Sequence, residues 1–205
     1  MSRREFLKKN RIAAVAAVLL LTGGPAQAAD SLSSVIVLVT YHSVSGNTEK
    51  MAQAVAEGAK AVSGTSVVLK RVSEVIGDDL LSSDAVIVGS PVYVGNMSGE
   101  VKTFFDNWGR KFGLGTGTGK MRNKLGAAFA TGGGVSNGKE VAMLTILGAM
   151  LIHSMIVTGA GGAFGASATT GPDSPGIDDK ELAAARDLGK RIAEVTSVIK
   201  RGSTK

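Results

Sequence analysis

The 205-residue sequence contains no cysteine, only two histidines (His42 and His153), four prolines, and aromatics at 4% of residues. Without cysteine there is no disulfide framework, thiolate nucleophile, cysteine zinc site or iron–sulfur cluster. Two histidines cannot furnish a histidine-rich metal site. Long hydrophobic runs are also missing. The apolar stretch at 12–21 has ten residues, and a bilayer span needs roughly 20. Small and apolar residues are abundant: 28 glycines and an apolar fraction of 44%. That is enough for a core and excludes a disordered or collagen-like chain. The length allows one domain or two small ones.

The formal charge of +6 points to a basic protein until its distribution is examined. The chain opens Ser2-Arg3-Arg4-Glu5-Phe6-Leu7-Lys8, continues through the ten apolar residues, and reaches Ala26-Gln27-Ala28-Ala29. A basic start, a short apolar stretch and an A-x-A site make a secretory signal peptide. The paired arginines give it the twin-arginine form, so export, to the periplasm, is expected. Residues 1–29 hold Arg3, Arg4, Lys8, Lys9 and Arg11 against Glu5, a net of +4, which leaves +2 on residues 30–205. Most of the excess charge goes with the leader, so nucleic acid is not an expected partner. The mature form is expected to have no membrane span.

From Ser34 onward strand and helix patterns alternate. Val35-Ile36-Val37-Leu38-Val39 is a β-branched run of the kind buried on both faces of a sheet. Further strands are predicted at 66–70, 84–89, 125–131 and 155–159, and helices at 48–62, 98–109, 140–151 and 178–198. Five strands with intervening helices predict one domain, 30–205, with a parallel sheet covered on both faces. Ligands of such sheets bind beyond the carboxyl ends of the strands. The Gly-rich stretches at 113–119 and 159–176 read as loops.

The loop after the first strand reads Ser43-Val44-Ser45-Gly46-Asn47-Thr48 and runs straight into a helix. Its hydroxyls, the close backbone approach that Gly46 permits, and the free N–H groups of the helix start make an anion cradle suited to a phosphate monoester. An ordinary helix cap uses the same residue types, but four polar groups at the expected sheet end favour binding. The loop has no Lys or Arg, unlike a nucleoside-triphosphate loop. Gly133 to Lys139 fits G-x-x-x-x-G-K, but Glu140 stands where Ser or Thr would hold magnesium. No G-x-G-x-x-G follows the first strand, which counts against a dinucleotide site.

The 43–48 segment resembles the [ST]-x-[ST]-G-N-T phosphate loop of flavodoxins. Ser90-Pro91-Val92-Tyr93-Val94-Gly95-Asn96-Met97-Ser98-Gly99 is similar to the P-x-x-x-G-N-M-S-G segment of the WrbA-type NAD(P)H:quinone oxidoreductases. Ala130-Thr131-Gly132-Gly133-Gly134 and His153-Ser154-Met155 match later landmarks of that family in order. The resemblance implies a flavodoxin-like doubly wound sheet of order 2-1-3-4-5 and FMN as cofactor. It implies that Ser43 to Thr48 hold the FMN phosphate. Pro91, Val92, Tyr93, Val94, Gly95 and Asn96 would line one side of the isoalloxazine ring. Thr131, Gly132, Gly133 and Gly134 would line the other, with His153 at its polar edge. Tyr93 could stack on the ring or be an ordinary loop aromatic.

Two redox functions follow from the resemblance. One is an enzyme passing electrons from NAD(P)H, or another donor, to a quinone or similar small acceptor. The other is an exported flavodoxin-type carrier between redox proteins. A flavin-free scaffold is the third reading, and the complete cradle argues against it. The related family also implies a homo-oligomer, dimer or tetramer.

Overall fold

The structure, a computed structural model, describes residues 34–161, 163–171 and 176–203; the expected leader at 1–29 lies outside them. Seven strands occur among these residues: β1 (Val35–Tyr41), β2 (Thr65–Arg71), β3 (Ala85–Tyr93), β4 (Asn96–Met97), β5 (Leu125–Gly132), β6 (Ile156–Val157) and β7 (Gly165–Thr169). Five α-helices accompany them: α1 (Asn47–Lys60), α2 (Gly77–Ser82), α3 (Gly99–Arg110), α4 (Lys139–Ile152) and α5 (Asp179–Gly202).

The parallel sheet runs β2-β1-β3-β5, with β6 and β7 both pairing parallel to β5 at the far edge. This is the doubly wound flavodoxin-like order, with β5 as the fourth strand and the fifth position shared. The alternation along β1 divides the core. Val35, Val37, Val39 and Tyr41 face α1 and α5. Leu38 faces the other layer, where Phe104, Phe105 and Trp108 of α3 meet Ile146 and Met150 of α4. The two helices of the first layer touch through their backbones. A Cβ on Gly58 of α1 would strike the Arg186 carbonyl, and one on Gly189 of α5 the Val55 carbonyl. Only glycine permits that approach.

The fifth strand differs from the expected 155–159. Two residues, Ile156 and Val157, pair with the start of β5. The chain then turns out through Gly161 (φ +61) and an Ala160–Ala163 bridge, and rejoins the sheet at Gly165. A Cβ there would strike the Ala128 carbonyl. The piece that reaches the carboxyl end is therefore β7, inside the segment read as loop. Its sequence, Gly165-Ala166-Ser167-Ala168-Thr169, has the small residues that pack against β5 but little of the β-branched signal of a strand.

Candidate functional site at the carboxyl rim

The turn from β1 to α1 is held open by Gly46, which takes a left-handed conformation (φ +85) as the residue preceding the helix. No heavy atom lies within 4 Å of the place its Cβ would occupy. A non-glycine residue is therefore disfavoured there by backbone strain, about 1–2 kcal/mol, not by crowding. Thr48, in the first turn of α1, is buried, and its hydroxyl bonds that of buried Thr131 at 2.8 Å. This joins the β1–α1 turn to the end of β5. The Ser43 hydroxyl is buried without any hydrogen-bond partner. A buried orphan hydroxyl costs about 1–3 kcal/mol, so at a rim loop it marks a place for a ligand acceptor or donor.

The loop expected at 91–96 is a tight hairpin. β3 continues to Tyr93, turns through Val94 (φ 49) and Gly95 (φ 79), and returns as β4, with Val92 opposite Met97 and Tyr93 opposite Asn96. Two positive φ values are the requirement of a type I′ turn. Val94 is fully exposed at its tip. Asn96 fastens the hairpin to α4 by accepting from the Thr145 hydroxyl at 2.7 Å. Gly138, just before α4, lies so close to the Gly95 carbonyl that no side chain fits between them. The loop after β5 is thereby tied to the hairpin.

Lys139, the lysine of the G-x-x-x-x-G-K segment, folds back and is buried. Its ammonium donates to the Gly134 carbonyl (3.0 Å) and the Thr169 hydroxyl (2.6 Å). It ties the 133–138 loop to β7.

His42 directly precedes the 43–48 loop. Its Nδ1 lies 3.0 Å from the Ser98 hydroxyl and 3.3 Å from the Glu100 carboxylate, and its ring meets that of Tyr93 edge-on at 6.1 Å. His42 thus steadies Tyr93 from the side.

His153 lies at the far end of α4. It caps the C-terminal end of α4, whereas 131–134 lead to the other end of the same helix. Fourteen helical residues separate the two, about 21 Å at 1.5 Å per residue. The imidazole is buried against Trp108 (ring centroids 4.9 Å), and burial pushes its pKa below the usual histidine value, against the opposing hydrogen bond to the Leu114 backbone. It also lines the same cavity as Asn96 and Met97 of the hairpin.

Sequence reading missed a cluster beside the phosphate-type loop. Arg71, the last residue of β2, stands in register with Tyr41 of β1. Its guanidinium donates to the Ser43 carbonyl (2.8 Å) and to the Glu49 carboxylate (2.6 Å). The Tyr41 hydroxyl donates to the other Glu49 oxygen at 2.8 Å. Burial and the Glu49 carboxylate push the Tyr41 phenol up to about 12.

Against known proteins, the NADPH-dependent FMN reductase family matches residues 33–169. The chain belongs to that family. FMN is the cofactor this membership implies. A flavodoxin of Aquifex aeolicus is 38% identical over 174 residues, covering 81% of this chain and 89% of that protein. An NAD(P)H dehydrogenase (quinone) of Archaeoglobus fulgidus is 33% identical over 193 residues, covering 78% and 96%. A solved flavodoxin, WrbA-like protein from Agrobacterium tumefaciens superposes with a TM-score of 0.66 at 26% identity, covering 80% of this chain and 98% of that one.

The rim fits the cofactor of this FMN reductase family. The orphan Ser43 hydroxyl and the free amides at the start of α1 suit a phosphate monoester. Tyr93, Val94 and Val135 are exposed around the same rim, as surfaces that a planar apolar ring would cover.

Proposed function

We propose that this FMN oxidoreductase passes two electrons from NAD(P)H, or another hydride donor, to a quinone or similar small acceptor. In this reading Ser43, Val44, Ser45, Gly46, Asn47 and Thr48 hold the FMN phosphate. Pro91 to Asn96 flank one side of the isoalloxazine, and Thr131 to Gly134 the other. Bound FMN supplies hydride acceptance and electron transfer; the residues of this chain position the ring, cover it and exclude water. The observation that carries the reading is the buried, unpartnered Ser43 hydroxyl beside left-handed Gly46 at the start of α1. The test is to titrate purified protein with FMN and then assay turnover of NADH with benzoquinone. Flavin absorbance at about 370 and 450 nm that stays with the protein, followed by turnover, is the expected result. Protein that never takes up FMN refutes the reading.

The 38% identity to a flavodoxin favours a second reading, an electron carrier between redox proteins. Flavin that is retained and reversibly reduced, with no turnover of NADH and quinone, would select it.

Two further proposals concern context. The Arg3-Arg4 leader supports export by the twin-arginine route to the periplasm, with 30–205 as the mature chain. Arg3→Lys combined with Arg4→Lys should hold the protein in the cytoplasmic fraction; unchanged secretion would exclude that route. Among the described residues no helix is long and apolar enough to cross a membrane. The outer face of α4 exposes Val141, Leu144, Leu151 and Ile152 around Gly148. An apolar stripe of this kind on a surface helix supports self-association. Sedimentation should show a dimer or tetramer that Leu144→Glu dissociates, and a monomeric wild type would overturn the proposal.

A further inference from the structure

Arg71 is not in the 43–48 loop, and it does not extend a free charge into the cradle. Its two terminal nitrogens are occupied by the Ser43 carbonyl and the Glu49 carboxylate. The guanidinium also lies over the Tyr41 ring, 5.5 Å from its centroid. Tyr41 in turn holds the second Glu49 oxygen. One side chain from the neighbouring strand therefore grips the loop at its first residue and the helix at its first turn.

The grip on Ser43 has a directional consequence. All peptide bonds among the described residues are trans. In a trans peptide the C=O of one residue and the N–H of the next point in opposite directions. With the Ser43 oxygen fixed on Arg71, the Val44 N–H is turned away from Arg71. If the bond to Arg71 were lost, rotation of this peptide would exchange donor for acceptor on the two sides of the loop. A carbonyl oxygen repels an anion where an N–H attracts it.

Glu49 adds a second role for the same cation. A carboxylate in the first turn of α1 sits beside the proposed phosphate position, where it would repel a dianion. Paired with Arg71 and bonded by Tyr41, its charge is largely spent. The pair is partly exposed, with side-chain exposures of 40% and 31%, so its direct Coulombic worth is modest. The orientation of the peptide is the larger effect.

We propose that Arg71 is a positioning residue that sets the 43–44 peptide with its N–H toward the ligand, and so makes the loop select a phosphate monoester. This rests on the assignment of the 43–48 loop to the FMN phosphate. It predicts a specific signature. Arg71 matters for the phosphate of FMN and not for its ring, so riboflavin, which lacks the phosphate, reports the difference.

The experiment measures dissociation constants of FMN and of riboflavin by quenching of flavin fluorescence. It uses the wild type, Arg71→Met and the double variant Arg71→Met with Glu49→Gln. The expected loss of FMN affinity in Arg71→Met is about tenfold or more, as for a hydrogen bond to a charged group. Riboflavin affinity should stay within about twofold. The double variant should remain weak for FMN, because removing the carboxylate does not restore the peptide's orientation. Equal losses for both flavins, or no loss, would overturn the proposal. Full recovery in the double variant would also overturn it, by showing that Arg71 merely cancels Glu49. Should Arg71→Met fail to fold, Arg71→Gln is read by the same ratio. A wild type that binds neither flavin would refute the loop assignment itself, which keeps that failure distinct.

Discussion

The two ends of the same sheet are built differently. At the amino-terminal end, side chains close several of the chain's loose groups. Asp84 accepts from the Ile36 N–H and from Lys200, both at 2.8 Å, and Lys124 donates to the Leu81 and Ser83 carbonyls. Trp108 and His153 fill the space beneath. Left-handed non-glycine residues there are Asn123 and Ser154, and asparagine tolerates that conformation well. At the carboxyl rim the left-handed positions are Gly46, Gly95, Gly138 and Val94. A β-branched residue is the poorest choice for positive φ. The rim also leaves the Ser43 hydroxyl unpartnered and Val94 and Val135 exposed. Buried polar atoms without partners occur at the other end too, Thr65 Oγ1 and Trp108 Nε1, so it is the left-handed, exposed valine and its apolar neighbours that set the rim apart as a place a ligand can compensate.

The sharpest way to break this contrast is to damage the end assigned to stability. Trp108 is fully buried among Phe104, Phe105 and His153. Trp108→Ala should cost about 3–5 kcal/mol, read as a lower urea midpoint by circular dichroism, because this is the chain's single tryptophan. FMN affinity of the protein that remains folded should be unchanged. A specific loss of flavin binding would show that the two ends are not separable. The converse experiment is Gly46→Val. Its strain of about 1–2 kcal/mol falls on the β1–α1 turn, so FMN affinity should drop about tenfold or more, with a smaller loss of stability than Trp108→Ala causes. Normal flavin content would remove the turn from the site.

The same contrast explains what was legible in the sequence. The sheet was readable because β1, β3 and β5 are continuous apolar runs, and the β1–α1 turn because its hydroxyls and Gly46 are adjacent in the chain. The split of the fifth strand was hidden, since β7 is made of Gly, Ala, Ser and Thr, whose strand role depends on the close approach to β5. The hairpin was hidden by Val94, which no turn preference would place at positive φ. Arg71 was invisible because it meets Ser43 only through the β1–β2 register, a long-range property. His153, expected at the ring's polar edge, caps the far end of a predicted helix and lines a cavity with Asn96 and Met97, a neighbourhood that no local pattern in the chain shows.

A smaller effect tests the strain directly. Val94→Gly releases a left-handed valine, so apo-protein stability should rise by about 1 kcal/mol. Asn123→Gly, at the other end and with φ 65, should change it by a few tenths at most. The measurement is paired urea denaturation of the two variants. If both behave alike, Val94 stores no more strain than an ordinary turn residue, and the assignment of strain to the rim loses its best support.

The smallest effect is a pH dependence belonging to the closed end. Burial holds the His153 pKa below its ordinary value of 6.5, despite the favourable Leu114 contact. The folded protein therefore keeps this imidazole neutral at a pH where the unfolded chain begins to take up its proton. The unfolded state binds more protons in that window, so stability must fall as pH falls. The contribution is complete above about pH 6.5 and is lost progressively as pH drops from there toward the lower folded value. His153→Gln should remove this component, so that the difference in urea midpoint between wild type and variant narrows from pH 7 to pH 5. FMN affinity should follow the same pH course in both proteins, because the imidazole's ring contact is with Trp108. A variant that altered the pH dependence of flavin binding, with the stability difference unchanged, would place His153 in the cofactor site.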